Sequence, residues 1–149
     1  MEKDLLKITT AINAPKEKVW HVLLDDTTYR QWTSVFHPGS YAETDWQQGS
    51  KALFKTPEGE GLVSKIILNK PFEMISIEHM GILKDGKEDV DSEAVSAWQG
   101  FKETYRLTPN GNKTDLTIEQ DILKEQAGWF ADTWQKALLK VKELAESDR

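Results

Sequence analysis

One stretch near the end of this chain decides what kind of fold is open to it. Residues 124–146 form its longest helix-periodic segment, with Phe130, Trp134, Ala137, Leu138, Val141, Leu144 and Ala145 on a single stripe. Lys136, Lys140, Lys142 and Glu143 cover the opposite side. Before it, from Ser40 to Asp121, the texture is that of strands. Turn signals recur at Gln47-Gln48-Gly49, Pro57-Glu58-Gly59, Asn69-Lys70-Pro71, Asp85-Gly86 and Asn110-Gly111. Strands at that spacing make an antiparallel meander. A lone amphipathic helix that follows a curved sheet buries its stripe across the concave face. The 149 residues suit one core, so a single domain over 1–149 is expected.

The front of the chain supplies the remaining elements. Residues 4–12 alternate, with Leu6, Ile8 and Ile12 on one face, as a strand would. Ala14-Pro15 ends that run, and Pro at a first helical position, with Glu17 in the first turn, suits a helix start. Val19, Trp20, Leu23 and Leu24 share a face of that helix. Asp25 and Asp26 stop it or cap a second short helix running through Trp32, and His37-Pro38-Gly39 is a loop.

Two hairpins have a readable register. A two-residue turn at Asn110-Gly111 pairs Lys102 with Glu119, Thr104 with Thr117 and Arg106 with Asp115 on a solvent face, unless Pro109 lengthens the turn. The other face carries Phe101, Glu103, Tyr105 and Leu107 against Gln120, Ile118, Leu116 and Thr114 and points inward. A slip of one residue would spoil both faces. A turn at Lys70-Pro71 puts Leu62, Ser64, Ile66, Leu68, Ile75, Ile77 and His79 on one inward face and turns Lys65 and Glu78 out.

Composition excludes several functions. The net charge is −6 and no basic stripe exists, which disfavours nucleic acid and anionic membranes. The absence of Cys excludes disulfides, thiolate catalysis and Cys-ligated metals. No apolar run is long enough to span a bilayer, and MEKDLLKITT lacks an export signal's apolar centre, so a cytoplasmic location without membrane insertion is expected.

Motif by motif, little chemistry survives. Gly81–Lys87 fits the first seven positions of a phosphate-binding loop, but Glu88 stands where Ser or Thr is needed. The acidic run Asp85, Glu88, Asp89, Asp91 and Glu93 lacks calcium-loop spacing and reads as solvated. Asn112-Lys113-Thr114 is a glycosylation sequon without meaning in an unexported chain, and no G-x-S-x-G occurs. His21, His37 and His79 have no metal-ligand spacing, so neither metal nor cofactor is expected.

Two polar residues stand out because their register puts them on apolar faces. Glu103 falls between Phe101 and Tyr105, where a carboxylate must be paired, protonated or put to use. It either anchors a ligand or works as an acid/base group, or it sits at a hydrated mouth or in structural bonds to His79 or Tyr105. His79, at the end of an apolar strand face, has the same two readings. Among the aromatics, Trp20, Trp32, Phe36, Phe54, Tyr105, Trp129, Phe130 and Trp134 are core residues or pocket walls. Trp129 and Phe130 sit at the handover from last strand to long helix, beside Gly128, and are the better pocket candidates.

The order of elements, with Ile12–Trp20 (I-N-A-P-K-E-K-V-W), Tyr29–Thr33 (Y-R-Q-W-T), Trp46–Ser50 (W-Q-Q-G-S) and Tyr105–Thr108 (Y-R-L-T), resembles the helix-grip fold of the START-like or SRPBCC superfamily. Within it the chain is similar to the branch named for the C-terminal domain of the heat-shock-protein-90 ATPase activator, which is related to polyketide cyclases. The resemblance spans essentially the whole chain. It implies an α+β domain of the START/Bet v type, with a seven-stranded curved antiparallel sheet gripping the last helix and two short helices after strand one. It also implies a cavity rimmed by the loops at 56–60 and 84–97. No catalytic motif comes with it, because members range from binders to cyclases.

The leading expectation is a binder of an apolar or amphipathic small molecule, lipid-like or aromatic and polyketide-like. Trp32, Phe36, Ser64, Ile77, His79, Phe101, Glu103, Tyr105, Trp129 and Phe130 are its candidate ligand contacts. The second is a cyclase, dehydratase or hydrolase using Glu103 and His79 as acid and base. The third is a chaperone-activator-like module that binds protein through Asp85–Glu93 or an apolar patch.

Overall fold

Leu6 and Ile8, alternating with the exposed Leu5, Lys7 and Thr9, draw Lys3–Ile12 into strand β1 of the computed structural model, which describes residues 2–147. Pro15 stands at the cap, one residue before helix α1 (Lys16–Leu24), with a backbone already suited to that place. Helix α2 (Asp26–Trp32) follows directly and ends in one 3₁₀ turn, Thr33–Val35. Strands β2 (Tyr41–Glu43), β3 (Lys51–Lys55), β4 (Gly61–Lys70) and β5 (Met74–Lys84) come next. A short β6 (Lys87–Asp89) and a one-turn α3 (Glu93–Ser96) precede β7 (Lys102–Asn110) and β8 (Lys113–Leu123). A 3₁₀ turn at Lys124–Gln126 leads into α4 (Ala127–Glu146).

The strands form one antiparallel sheet in the order β1-β8-β7-β5-β4-β3-β2. These are the seven strands expected of a helix-grip domain; the added β6 pairs with β5 off the main path. Helix α4 lays Trp134, Ala137, Leu138, Val141 and Ala145 against the sheet and α1, all of them buried. Fully burying a residue such as Leu138 or Val141 contributes about 1.5–3 kcal/mol, which is what fixes the helix there. Among the described residues no helix is long and apolar enough to cross a membrane.

The last hairpin keeps its expected faces but not its expected partners. Glu103 lies opposite Gln120, Tyr105 opposite Ile118 and Asn110 opposite Lys113, two residues displaced from the register given by a turn at Asn110-Gly111. Pro109 accounts for the shift. In the expected register it would close the turn opposite Asn112 and would have to donate a backbone N–H it does not possess. In the observed one it faces Thr114, and Gly111 takes the positive φ of 61° that the first position of a II′ turn needs. Because the slip is two residues, every side chain stays on its face. Arg106 then reaches Glu119 diagonally at 2.8 Å rather than pairing with Asp115.

The β4–β5 hairpin is interrupted by irregularities at Val63/Ser64 and Ile66/Leu68. Ser64 faces His79, Ile66 faces Ile77 and Lys65 faces Glu78, as the alternation implied. Leu68 departs from it. Past the second bulge it lies opposite Ser76, whose hydroxyl meets Thr104 on the outer side, so Leu68 is turned out of the inward row.

Gly61 starts β4 opposite Lys55, and a Cβ there would come within 1.8 Å of the Phe54 carbonyl oxygen. Gly61→Ala is therefore expected to lower stability by about 1–3 kcal/mol through forced separation of β3 and β4. Urea unfolding of both proteins checks this, and an unchanged midpoint would contradict the close approach.

Candidate functional site

Toward its N-terminal end α4 does not fill the concave sheet, and a cavity of about 370 Å³ remains. Helix α2 and the turn after it contribute Tyr29, Trp32, Thr33 and Phe36, a spacing of i, i+3, i+4 and i+7 that aims four side chains the same way. Phe130 and Trp134 close the cavity from α4. The sheet supplies Phe54, Leu62, His79, Glu103, Tyr105, Gln120 and Ile122, with Phe101 just ahead of β7. Lys55, Thr56 and Gln126 are among its more exposed margins.

Trp134 is the hub of the aromatic wall. Its ring centroid lies 4.9 Å from Phe36, 5.8 Å from Trp32 and 6.0 Å from Tyr105. Such edge-on and tilted arrangements suit aromatic quadrupoles. Its indole N–H donates to Gln120 Oε1 at 2.6 Å, so even the polar end of this buried ring is satisfied.

A chain of polar groups crosses the apolar floor from β4 through β5 to β7. Ser64 Oγ lies 2.8 Å from His79 Nδ1, and His79 Nε2 lies 3.1 Å from Glu103 Oε1. The Tyr105 hydroxyl donates to Glu103 Oε2. A carboxylate accepts, so His79 Nε2 carries the proton directed at Glu103, while Nδ1 meets the Ser64 hydroxyl. Burial raises the Tyr105 phenol well above its ordinary range, and the Glu103 charge adds to this. Burial does the same to Tyr29, again with Glu103 as the second cause.

The structure brings together Trp32, Phe36, His79, Phe101, Glu103, Tyr105 and Phe130 around this cavity. Ser64 and Ile77 lie outside its lining; Ser64 is 2% exposed and reaches the site only through His79. That burial leaves the Ser64–His79–Glu103 row without an accessible nucleophile. Trp129 is also outside the lining, 54% exposed, with its ring against Phe36 and Phe130. Of the two expected rim loops, Thr56 lines the cavity, whereas the 84–97 segment does not and Trp98 just beyond it does. Gln120 and Tyr29 were absent from the sequence-derived contacts. Gln120 already stood on the inward face, and Tyr29 was legible in its helical spacing with Trp32 and Phe36. Among the described residues no group of His, Asp and Glu is placed to hold a metal ion.

Because unfolding would free both phenols to ionise near their usual value of about 10, the unfolded chain loses protons that the folded chain keeps. Their contribution to stability is complete below about pH 10 and is lost as the pH climbs beyond it. Ultraviolet titration is expected to show Tyr29 and Tyr105 ionising only together with loss of the fold; ionisation of all tyrosines in the folded state would contradict their burial.

Comparison with known proteins places this geometry in context. The family described as activator of Hsp90 ATPase homolog 1-like protein matches residues 13–146. No curated protein sequence matches the chain. Among solved structures, protein MLL2253 from Mesorhizobium loti is similar with a TM-score of 0.76 at 16% identity, covering 98% of this chain and 99% of that one. DynU16, a protein in the dynemicin biosynthetic locus, gives a TM-score of 0.73 at 14% identity over 98% of this chain, which spans 48% of DynU16. The Aha1 dimer from Colwellia psychrerythraea gives 0.68 at 18% identity, covering 96% of each chain. At these identities the likeness is one of fold.

Proposed function

The chain belongs to the activator of Hsp90 ATPase homolog 1-like protein family, and from that premise we propose that it is a cytoplasmic binder of an apolar or amphipathic small molecule, lipid-like or aromatic and polyketide-like. One observation carries the reading. The cavity between sheet and α4 is walled by aromatic rings and holds a carboxylate, Glu103, already held in place by His79 and Tyr105. Apolar walls with a few placed polar groups are what small-molecule sites are made of. Each side chain that a ligand covers adds a fraction of the roughly 1.5–3 kcal/mol of full burial, enough together for micromolar affinity after the cost of association.

Acid/base chemistry on the bound molecule, of a cyclase, dehydratase or hydrolase kind, is a second reading. The 3.1 Å approach of His79 to Glu103 at one cavity wall favours it. Its test is a change in mass or, for an isobaric ring closure, in chromatographic retention of a bound candidate on incubation with the protein, absent with Glu103→Gln. A protein-binding role through the acidic segment has less to draw on, because Glu88 is engaged with Lys51 and Asp89 with Ser92.

Trp32, Trp98 and Trp134 line the cavity, so their fluorescence reports its contents. Titration with lipids, flavonoids and polyketide-like aromatics is expected to give a saturable change for at least one class. Leu62→Trp, which fills the space, is expected to abolish that change while the protein stays folded. No response from any class would overturn the proposal.

A further inference from the structure

The cavity offers an unequal set of polar groups to whatever enters it. An ionised Glu103 can only accept, and two of its acceptor positions are taken by His79 and Tyr105. Its direct partner across the β7–β8 ladder is Gln120, on the same face. The Trp134 indole N–H can only donate, so the Gln120 oxygen turns to it and the amide NH₂ is the end left over. Both nitrogens of His79 are occupied, by Ser64 and by Glu103. Among the described residues lining the cavity, Lys55 is the sole Lys or Arg, and its ammonium is 2.8 Å from Glu43. The second lining carboxylate, Asp121, accepts from the Lys102 backbone N–H and lies 3.4 Å from Lys3.

We propose, resting on the small-molecule reading above, that the buried end of the ligand is a neutral hydroxyl, phenolic or aliphatic, that donates to Glu103 and accepts from Gln120, and that the site discriminates against carboxylates. A hydroxyl carries one donor and two acceptor lone pairs and so answers both residues. A carboxylate brings a second negative charge against Glu103 inside a wall of low dielectric. An ammonium answers Glu103 but sets its own donors against the Gln120 NH₂. Size and greasiness are set by the aromatic wall and shared by many molecules; the sign of the polar end is set by these two residues.

Three probes of nearly one shape separate the possibilities: naphthol, naphthoate and naphthylmethylamine, titrated calorimetrically into the full chain at neutral pH. Naphthol is expected to bind about tenfold or more tightly than either of the others, the range of one hydrogen bond to a charged group. In Glu103→Gln, which keeps the size and adds donors, the gap between naphthol and naphthoate is expected to shrink to about threefold or less. Naphthoate or the amine binding as tightly as naphthol, or a gap that survives in Glu103→Gln, overturns the hydroxyl assignment and leaves the apolar site standing. If none of the three binds, nor a matched medium-chain alcohol and fatty acid, the hydroxyl assignment fails, and silence in the fluorescence titration as well removes the small-molecule reading.

Discussion

Trp134 is the contact on which this molecule turns. Its ring is 2% exposed and touches Trp32 from α2, Phe36 from the loop beyond it and Tyr105 from β7, while its N–H reaches Gln120 on β8. One side chain thereby ties the last helix to the helix pair and to two neighbouring strands. The rest of the stripe, from Ala137 to Ala145, is smaller and packs down onto the sheet and α1. At the Trp134 end the partners are bulky rings, and rings that meet edge-on leave gaps between them. The grip and the cavity have the same origin.

Much of this was legible in the residues. The alternation in β1, the i, i+3, i+4 spacing in α4 and the regular turn signals specify an antiparallel sheet with one helix across it. The inward placement of Glu103, Tyr105 and Gln120 followed from period-two alternation alone, and it survived an error in register because the error was itself two residues. Partner identity was the part that failed. It depends on the backbone donor Pro109 lacks, a constraint on hydrogen bonding that the pattern of apolar residues does not express. Leu68 was misplaced for a related reason: a bulge adds one residue to a strand, and nothing in the composition of Ile66-Ile67-Leu68 marks where. Trp129 was expected at the cavity because it sits beside Gly128 at the handover from last strand to long helix, but its place on α4 leaves it 54% exposed, outside the lining.

The candidate site was less legible than the fold because its key relation is between strands far apart in the chain. Ser64, His79 and Glu103 are inward residues of β4, β5 and β7, and their faces follow from sequence. That His79 reaches Glu103 rather than solvent depends on the Val63/Ser64 irregularity and on the return of Phe101, whose carbonyl accepts from the His79 backbone N–H at 2.8 Å. The helix α2 wall was read in part. Trp32 and Phe36 stood among the expected contacts, whereas Tyr29, three residues before Trp32 on the same face of this seven-residue helix, was passed over although its spacing already pointed to the cavity.

The row of hydrogen bonds from Ser64 to Tyr105 has a consequence for how this pocket behaves over time. Ser64, His79 and Glu103 are each clamped by a neighbour on a different strand, and Tyr105 holds Glu103 from its own strand, so the carboxylate has little freedom to swing before anything arrives. Little entropy is then left to lose there on encounter, and little strain is available to accommodate a poor match. On the proposed binding role, such a site would work as a rigid gauge rather than a pliable glove, its preferences written into the sheet's own cross-strand bonding.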